Sequence, residues 1–175
     1  MVQTKIGHAH LKVRDLDRAT DFYSRFLGLK VTERVGDHYV FMTSGPMHHE
    51  IALQAVGENA PGQNPYGTGL YHVAFEVPDQ RSLAEAFVTL ADAGIDVATV
   101  DHLISWALYF NDPDGNGLEI YWDTRTEPGG ATLWLGHNVP LPAAKLHAIL
   151  AQNFVNAVKC RILQQILRVS QLLAS

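Results

Sequence analysis

Ile6-Gly7-His8-Ala9-His10-Leu11-Lys12-Val13 and Leu70-Tyr71-His72-Val73-Ala74-Phe75-Glu76-Val77 decide the fold. Both stretches alternate apolar and polar residues as a half-buried strand does, and both carry a histidine at the third position. The same plan follows each. After the first, Asp15 or Asp17 caps a helix in which Ala19, Phe22, Tyr23, Phe26 and Leu27 recur at helical spacing, and Gly28 ends it. Strands are then expected over Leu29 to Arg34, Tyr39 to Thr43 and Glu50 to Val56, with Gly36-Asp37 as a turn. After the second, Pro78-Asp79 opens a helix through Leu83, Ala86, Phe87 and Leu90, closed by Ala93-Gly94. Asp96 to Val100, Ser105 to Phe110 and Gly117 to Trp122 read as three further strands.

A βαβββ order thus occurs twice, over about residues 6–56 and 70–122, joined by a Gly-, Pro- and Asn-rich link from Gly57 to Gly69. The fold class is α+β. Each half is too small to bury its own sheet face alone, so the two are expected to form one domain over residues 1–127. Glu127-Pro128-Gly129-Gly130 begins a loop, and residues 128–175 end in a helical segment. In that segment Leu146, Ile149, Leu150, Phe154, Val158, Ile162, Ile166, Val169 and Leu173 form an apolar stripe. Water contact along such a face is costly, so it packs on its own domain or on a second copy, and a homo-oligomer is expected.

Composition excludes several function classes. Hydrophobic residues make up 47% of the 175 and charged residues 18%, enough to bury a core and too apolar for disorder. Thirteen Lys and Arg stand against eighteen Asp and Glu, a net charge of −5 with no basic block, so nucleic-acid and anionic-membrane roles have no support. Cys160 is the single cysteine, which rules out a disulfide within the chain and fits a reducing compartment. The N-terminal residues lack the apolar run of a signal peptide, and no stretch is long enough to span a membrane. A soluble cytoplasmic protein is expected.

Nine histidines are the informative excess. His8 and His72 hold equivalent places in the two opening strands. Glu119 follows the tight turn Asp112-Pro113-Asp114-Gly115-Asn116-Gly117 in the last strand of the second half. If the halves pair about a pseudo-twofold axis, the opening strands lie side by side and these three side chains converge. Two imidazoles and one carboxylate on one side of a metal leave its other positions open, the pattern of non-haem Fe(II) centres.

Three segments are specific enough to carry a resemblance: Gly7-His8-Ala9-His10-Leu11-Lys12-Val13-Arg14-Asp15-Leu16 with Phe22-Tyr23, Tyr71-His72-Val73-Ala74-Phe75, and Asp112-Pro113-Asp114-Gly115-Asn116-Gly117-Leu118-Glu119. Over Ile6 to Trp122 the chain resembles the vicinal oxygen chelate superfamily, which comprises glyoxalases, bleomycin-resistance proteins and extradiol dioxygenases. The resemblance implies two modules forming an open, incompletely closed β-barrel around a metal, with His8, His72 and Glu119 as ligands and His10 as a weaker rival to His8. His102, followed by Tyr109 and then Glu119, looks like the ring-cleavage dioxygenase signature, with a shortened gap between His102 and Tyr109. His48-His49-Glu50-Ile51-Ala52-Leu53 resembles the strand bearing the family's acid–base histidine, placing that role on His49. Leu133-Trp134 with Pro140-Leu141-Pro142 looks like the tail of short, single-domain members.

The resemblance therefore implies an Fe(II)-dependent extradiol dioxygenase, with Mn(II) as the alternative metal, opening a catechol-type ring with O2 to a muconic semialdehyde-type product. His49 would move a proton, and His102 and Tyr109 would hydrogen-bond the substrate oxygens. Its rivals are a glyoxalase-like isomerase or thiol transferase, for which Glu50 or Gln54 would supply a fourth ligand, and a bleomycin-type binding protein without catalysis.

Overall fold

The computed structural model describes residues 2–64 and 66–152. They form β1 (Ala9–Val13), α1 (Leu16–Leu27), β2 (Lys30–Val35), β3 (Tyr39–Thr43) and β4 (Ile51–Ala55) in the first half. The second half holds β5 (Val73–Glu76), α2 (Gln80–Asp92), β6 (Ala98–Asp101), β7 (Ser105–Asn111) and β8 (Gly117–Asp123), and after it come β9 (Val139–Pro140) and α3 (143–152). The strands make two mixed sheets, in the orders β1-β4-β3-β2 and β5-β8-β7-β6-β9. In each, the opening strand lies parallel to the last strand of its repeat, and the remaining neighbours are antiparallel. The sheets stay open and do not close into a barrel.

Local chemistry explains the boundaries. Asp15, in extended conformation, accepts the Arg18 amide at 2.7 Å and so is the cap of α1. Asp17 lies inside the first turn instead and pairs with Arg34. Gly28 closes α1 with φ at 67°, a left-handed conformation that costs glycine nothing, and its N–H returns to the Ser24 carbonyl. Asp79 caps α2 by the same means, accepting the Ser82 amide at 2.7 Å.

One core serves both halves. Leu11 and Val13 of β1, Tyr23 of α1, Met42 and Leu53 share a buried cluster with Leu83, Leu90, Leu108, Leu118 and Ile120. Each such side chain contributes roughly 1.5–3 kcal/mol, and neither sheet could recover that energy alone. The turn before β8 adds a polar joint. Asp112, 5% exposed, accepts the Tyr23 hydroxyl at 3.1 Å, the Asn116 amide group at 2.7 Å and the backbone N–H of Asp114 and Asn116. Asn116 also donates to the Lys12 carbonyl at 3.1 Å, and Arg14 and Arg18 reach Asp114 at 3.2 and 2.8 Å. The linker joins in through Gln63, which donates to Asn116 Oδ1 at 2.6 Å. A turn was all that its sequence dictated; the structure makes it the clasp between the modules.

Beyond Asp123 the chain adds β9 to the edge of the second sheet, pairing Val100 with Pro140 and Asp101 with Val139. Pro140, which has no N–H to donate, is tolerated there because the strand is an edge. The opening of α3 packs on its own domain: Leu146 is fully buried, Ile149 and Leu150 lean on the core, and the Lys145 ammonium sits 3.8 Å from the Trp106 ring centre. The rest of the apolar stripe, from Phe154 to Leu173, lies outside the described residues. Among the described residues, no helix is long and apolar enough to cross a membrane.

Candidate functional site

Strand alternation sends two sets of side chains to opposite faces. Along β8, Leu118 and Ile120 point into the core, so Glu119 between them points the other way. Tyr109 is its direct cross-strand partner on β7, and Ala74 its partner on β5, two residues beyond His72. His72, Tyr109 and Glu119 therefore share one face by register. Gly117 allows the close approach behind them: a Cβ there would lie 2.1 Å from the Tyr71 carbonyl oxygen.

The side chains meet as register requires. His72 Nε2 lies 2.9 Å from Glu119 Oε2, while its Nδ1 is buried without a partner. The Tyr109 hydroxyl donates to Glu119 Oε1 at 3.1 Å and lies 2.9 Å from His102 Nε2. Burial, and then the Glu119 carboxylate, push the Tyr109 phenol well above its ordinary range, so the hydroxyl keeps its proton. The shortened gap between His102 and Tyr109 is spanned because β6 and β7 form a tight hairpin, in which the His102 amide donates to the Ser105 carbonyl.

A second cluster stands on the first sheet. The His8 and His49 rings lie 4.5 Å apart, His48 Nδ1 meets His49 Nδ1 at 2.8 Å, and His48 Nε2 reaches Glu33 at 3.1 Å. Burial, followed by the neighbouring imidazoles of His8, His48 and His10, holds the His49 pKa below its ordinary value. His49 is therefore neutral near pH 7 and able to accept a proton. His10 packs edge-on to Tyr39 instead, with ring centres 5.9 Å apart.

Two of the three expected metal donors are thus adjacent, and the third is not with them. Asn116, which precedes β8 beside the His72 end of β5, bonds the carbonyl of Lys12 rather than the His8 end of β1. His8 and Lys12 are four positions apart, roughly 13 Å of extended chain. Among the described residues no three His, Cys, Asp or Glu side chains converge as a metal-holding group. His72 and Glu119 fit a divalent ion as one imidazole and one carboxylate side by side, with the buried, unpaired Nδ1 as the sign of an imidazole whose polar partners are incomplete. The two alternatives for a fourth ligand are engaged elsewhere: Glu50 accepts the Ser44 amide and hydroxyl at 2.8 and 2.6 Å, and Gln54 lies 3.4 Å from the Tyr39 hydroxyl.

Sequence reading missed two residues here. Asn138 Oδ1 lies 2.6 Å from His102 Nδ1 and accepts the Trp134 indole N–H at 2.9 Å. Only the presence of Trp134 in a family-like tail hinted at either.

A family profile for the glyoxalase/bleomycin resistance protein/dioxygenase superfamily matches residues 5–120. The chain belongs to that superfamily. Within it, the chain is 36% identical over 120 residues to the catechol-2,3-dioxygenase of Bacillus subtilis (strain 168), covering 69% of this chain and 42% of that protein. It is 32% identical over 133 residues to biphenyl-2,3-diol 1,2-dioxygenase 3 of Rhodococcus globerulus, covering 75% of this chain and 70% of that one. The match therefore spans less than half the length of the Bacillus relative. Among solved structures, a glyoxylase/bleomycin resistance protein/dioxygenase domain from Frankia sp. EAN1pec superposes with a TM-score of 0.59 at 26% identity, over 70% of this chain and 99% of that one. A lactoylglutathione lyase from Agrobacterium tumefaciens gives 0.54 at 25% identity, over 69% and 94%. The superfamily thus embraces lyases as well as dioxygenases, and membership alone leaves the reaction open.

Proposed function

We propose that the protein is an extradiol dioxygenase that opens a catechol-type aromatic ring with O2. The observation that carries this reading is the Tyr109 hydroxyl, set between His102 Nε2 at 2.9 Å and Glu119 Oε1 at 3.1 Å on the face that also bears His72. A phenol held protonated beside a candidate metal-binding carboxylate is a hydrogen-bond donor placed for a substrate oxygen. The two named diol dioxygenases among its relatives support the same class.

His72 and Glu119 would hold the metal; His8, expected from the sequence as the third donor, stands in this structure in the histidine cluster of the first sheet. Fe(II), or Mn(II) in its place, would supply acidification of the catechol hydroxyls and activation of O2. The residues of the chain do the rest. Tyr109 orients the ring oxygens and steadies charge that develops on them, with His102 beside it as its hydrogen-bond partner. His49, neutral near pH 7, holds and returns a proton. The partners of this reaction are a small aromatic diol and O2.

Anaerobic loading with Fe(II), followed by catechol, biphenyl-2,3-diol and O2, tests the reading. A yellow ring-opened product with one O2 consumed per diol supports it. Turnover of a methylglyoxal–thiol adduct, with no diol consumed, would replace it with the isomerase reading.

A further inference from the structure

The loop that leads into β9 reaches back to the candidate site through two side chains to which the reaction assigned no part. The Asn138 side-chain oxygen lies 2.6 Å from His102 Nδ1 and 2.9 Å from the Trp134 indole nitrogen. An indole N–H is only ever a donor, so the Asn138 atom facing it is the acceptor oxygen and not the amide nitrogen. An oxygen without a hydrogen, 2.6 Å from Nδ1, requires the hydrogen to sit on Nδ1. The opposite nitrogen of the neutral ring, Nε2, is then bare, and this is the nitrogen 2.9 Å from the Tyr109 hydroxyl.

We propose that Asn138, with its amide held in one orientation by Trp134, is a positioning residue that fixes the His102 tautomer, keeping hydrogen on Nδ1 and presenting bare Nε2 to Tyr109. The Tyr109 hydroxyl has one hydrogen and two acceptors, Glu119 Oε1 and His102 Nε2. A fixed tautomer keeps both of them open to it. With hydrogen on Nε2 instead, His102 would be a donor toward Tyr109 and unable to accept its hydrogen bond.

The backbone supports the placement. Leu103 and Leu135, each following one of the paired residues His102 and Trp134, adopt φ of 68° and 52°, and no other described non-glycine residue has positive φ. Such a conformation costs about 1 kcal/mol or more and persists where the surroundings enforce it. The Leu103 carbonyl accepts the Ala131 amide at 3.0 Å and the Thr124 hydroxyl at 3.1 Å, and its own amide donates to Asp101. Both turns are bent so that His102 and Trp134 meet, with ring centres 5.7 Å apart.

This inference rests on the proposed role of His102, and its test is built to fail separately. Histidine 15N–1H spectra are recorded on metal-free protein at about pH 8, above the ordinary imidazole range, with the His102 signals identified by their loss in His102→Gln. Wild type should show Nδ1 protonated and Nε2 bare. Asn138→Leu, similar in size but with no acceptor, should move the hydrogen to Nε2 in a measurable fraction of molecules. Asn138→Asp, which keeps an acceptor, should restore the wild-type pattern, and a merely structural role would not give that rescue. In iron-loaded protein, Asn138→Leu should lower turnover about 10–100-fold and Asn138→Asp much less, the scale seen when a group orienting a site residue is removed. Hydrogen on Nε2 in wild type, or spectra unchanged in Asn138→Leu, would overturn the inference even if diols are cleaved. A fixed tautomer in a protein that cleaves no diol would leave it standing and sink the dioxygenase reading.

Discussion

Tyr109 and Glu119 are direct cross-strand partners on β7 and β8, and the phenol of one donates to the carboxylate of the other at 3.1 Å. The strand register sets this pairing, so the two groups stay opposed as long as the hairpin stays in register. Tyr109→Phe should leave the fold and the metal content unchanged, because the ring still fills its place. Turnover should fall about 10²-fold, the scale of removing one oriented donor from a site of developing charge. Steady-state O2 uptake measures the change; a rate equal to wild type would return Tyr109 to packing.

Metal content tests the donors one at a time. His72→Ala and Glu119→Ala should each lose most of the iron while circular dichroism stays native, since each removes one of few protein ligands. His8→Ala should do the same if His8 is the third donor. Full iron occupancy in His8→Ala would assign His8 to the cluster with His49, against which it packs at 4.5 Å.

Proton transfer is separable from metal binding. His49→Gln should keep its iron and bind diol, and its turnover should drop by roughly 10²–10⁴-fold if His49 is the acid–base group. Unchanged turnover at saturating diol and O2 would end that assignment.

The opening strands were legible from alternation, although β1 begins only at Ala9 and β5 at Val73, so that His8 and His72 lie just before them, and Tyr39 to Thr43 is matched residue for residue. The cap of α1 was ambiguous between Asp15 and Asp17, because both precede the apolar stripe; only backbone geometry separates an acceptor outside the helix from an acid inside its first turn. Two-residue β9 gave no periodic signal at all. The site divides in the same way. His72, Tyr109 and Glu119 come together through strand register, which a repeat reveals. His102 and Asn138 are loop side chains 36 positions apart that meet because two turns bend toward each other, and no spacing rule encodes that. Convergence of His8 with His72 was expected from symmetry of the halves. The clasp at Asn116 and Lys12 instead sets how β1 lies against the second sheet, and it joins the far end of β1 to the His72 end of β5.

A pH dependence of stability follows from the α2 cap. The Ser82 amide, donating to the Asp79 carboxylate at 2.7 Å, holds the Asp79 pKa below its ordinary value. A depressed acid contributes stability above its unfolded pKa and loses it as pH falls through the folded one. Asp79→Ala should therefore cost about 0.5–2 kcal/mol at pH 7, and the gap to wild type should close below about pH 4. Urea denaturation at several pH values reads this directly; a gap that persists at pH 2 would contradict it.

Tyr23 and Asp112 are 89 positions apart, and Arg14 and Asp114 are 100 apart, yet they bond across the two modules. Peptide connectivity through residues 57–69 is thus one attachment between the halves beside the clasp and the shared core. A protein synthesised as two pieces, divided in that link, keeps every partner of the clasp and most of the shared core. Reassembly would then be a bimolecular reaction, with the rate set by the product of the two concentrations. His49 would arrive on one piece and His72, Tyr109 and Glu119 on the other, so neither alone would carry the whole candidate site.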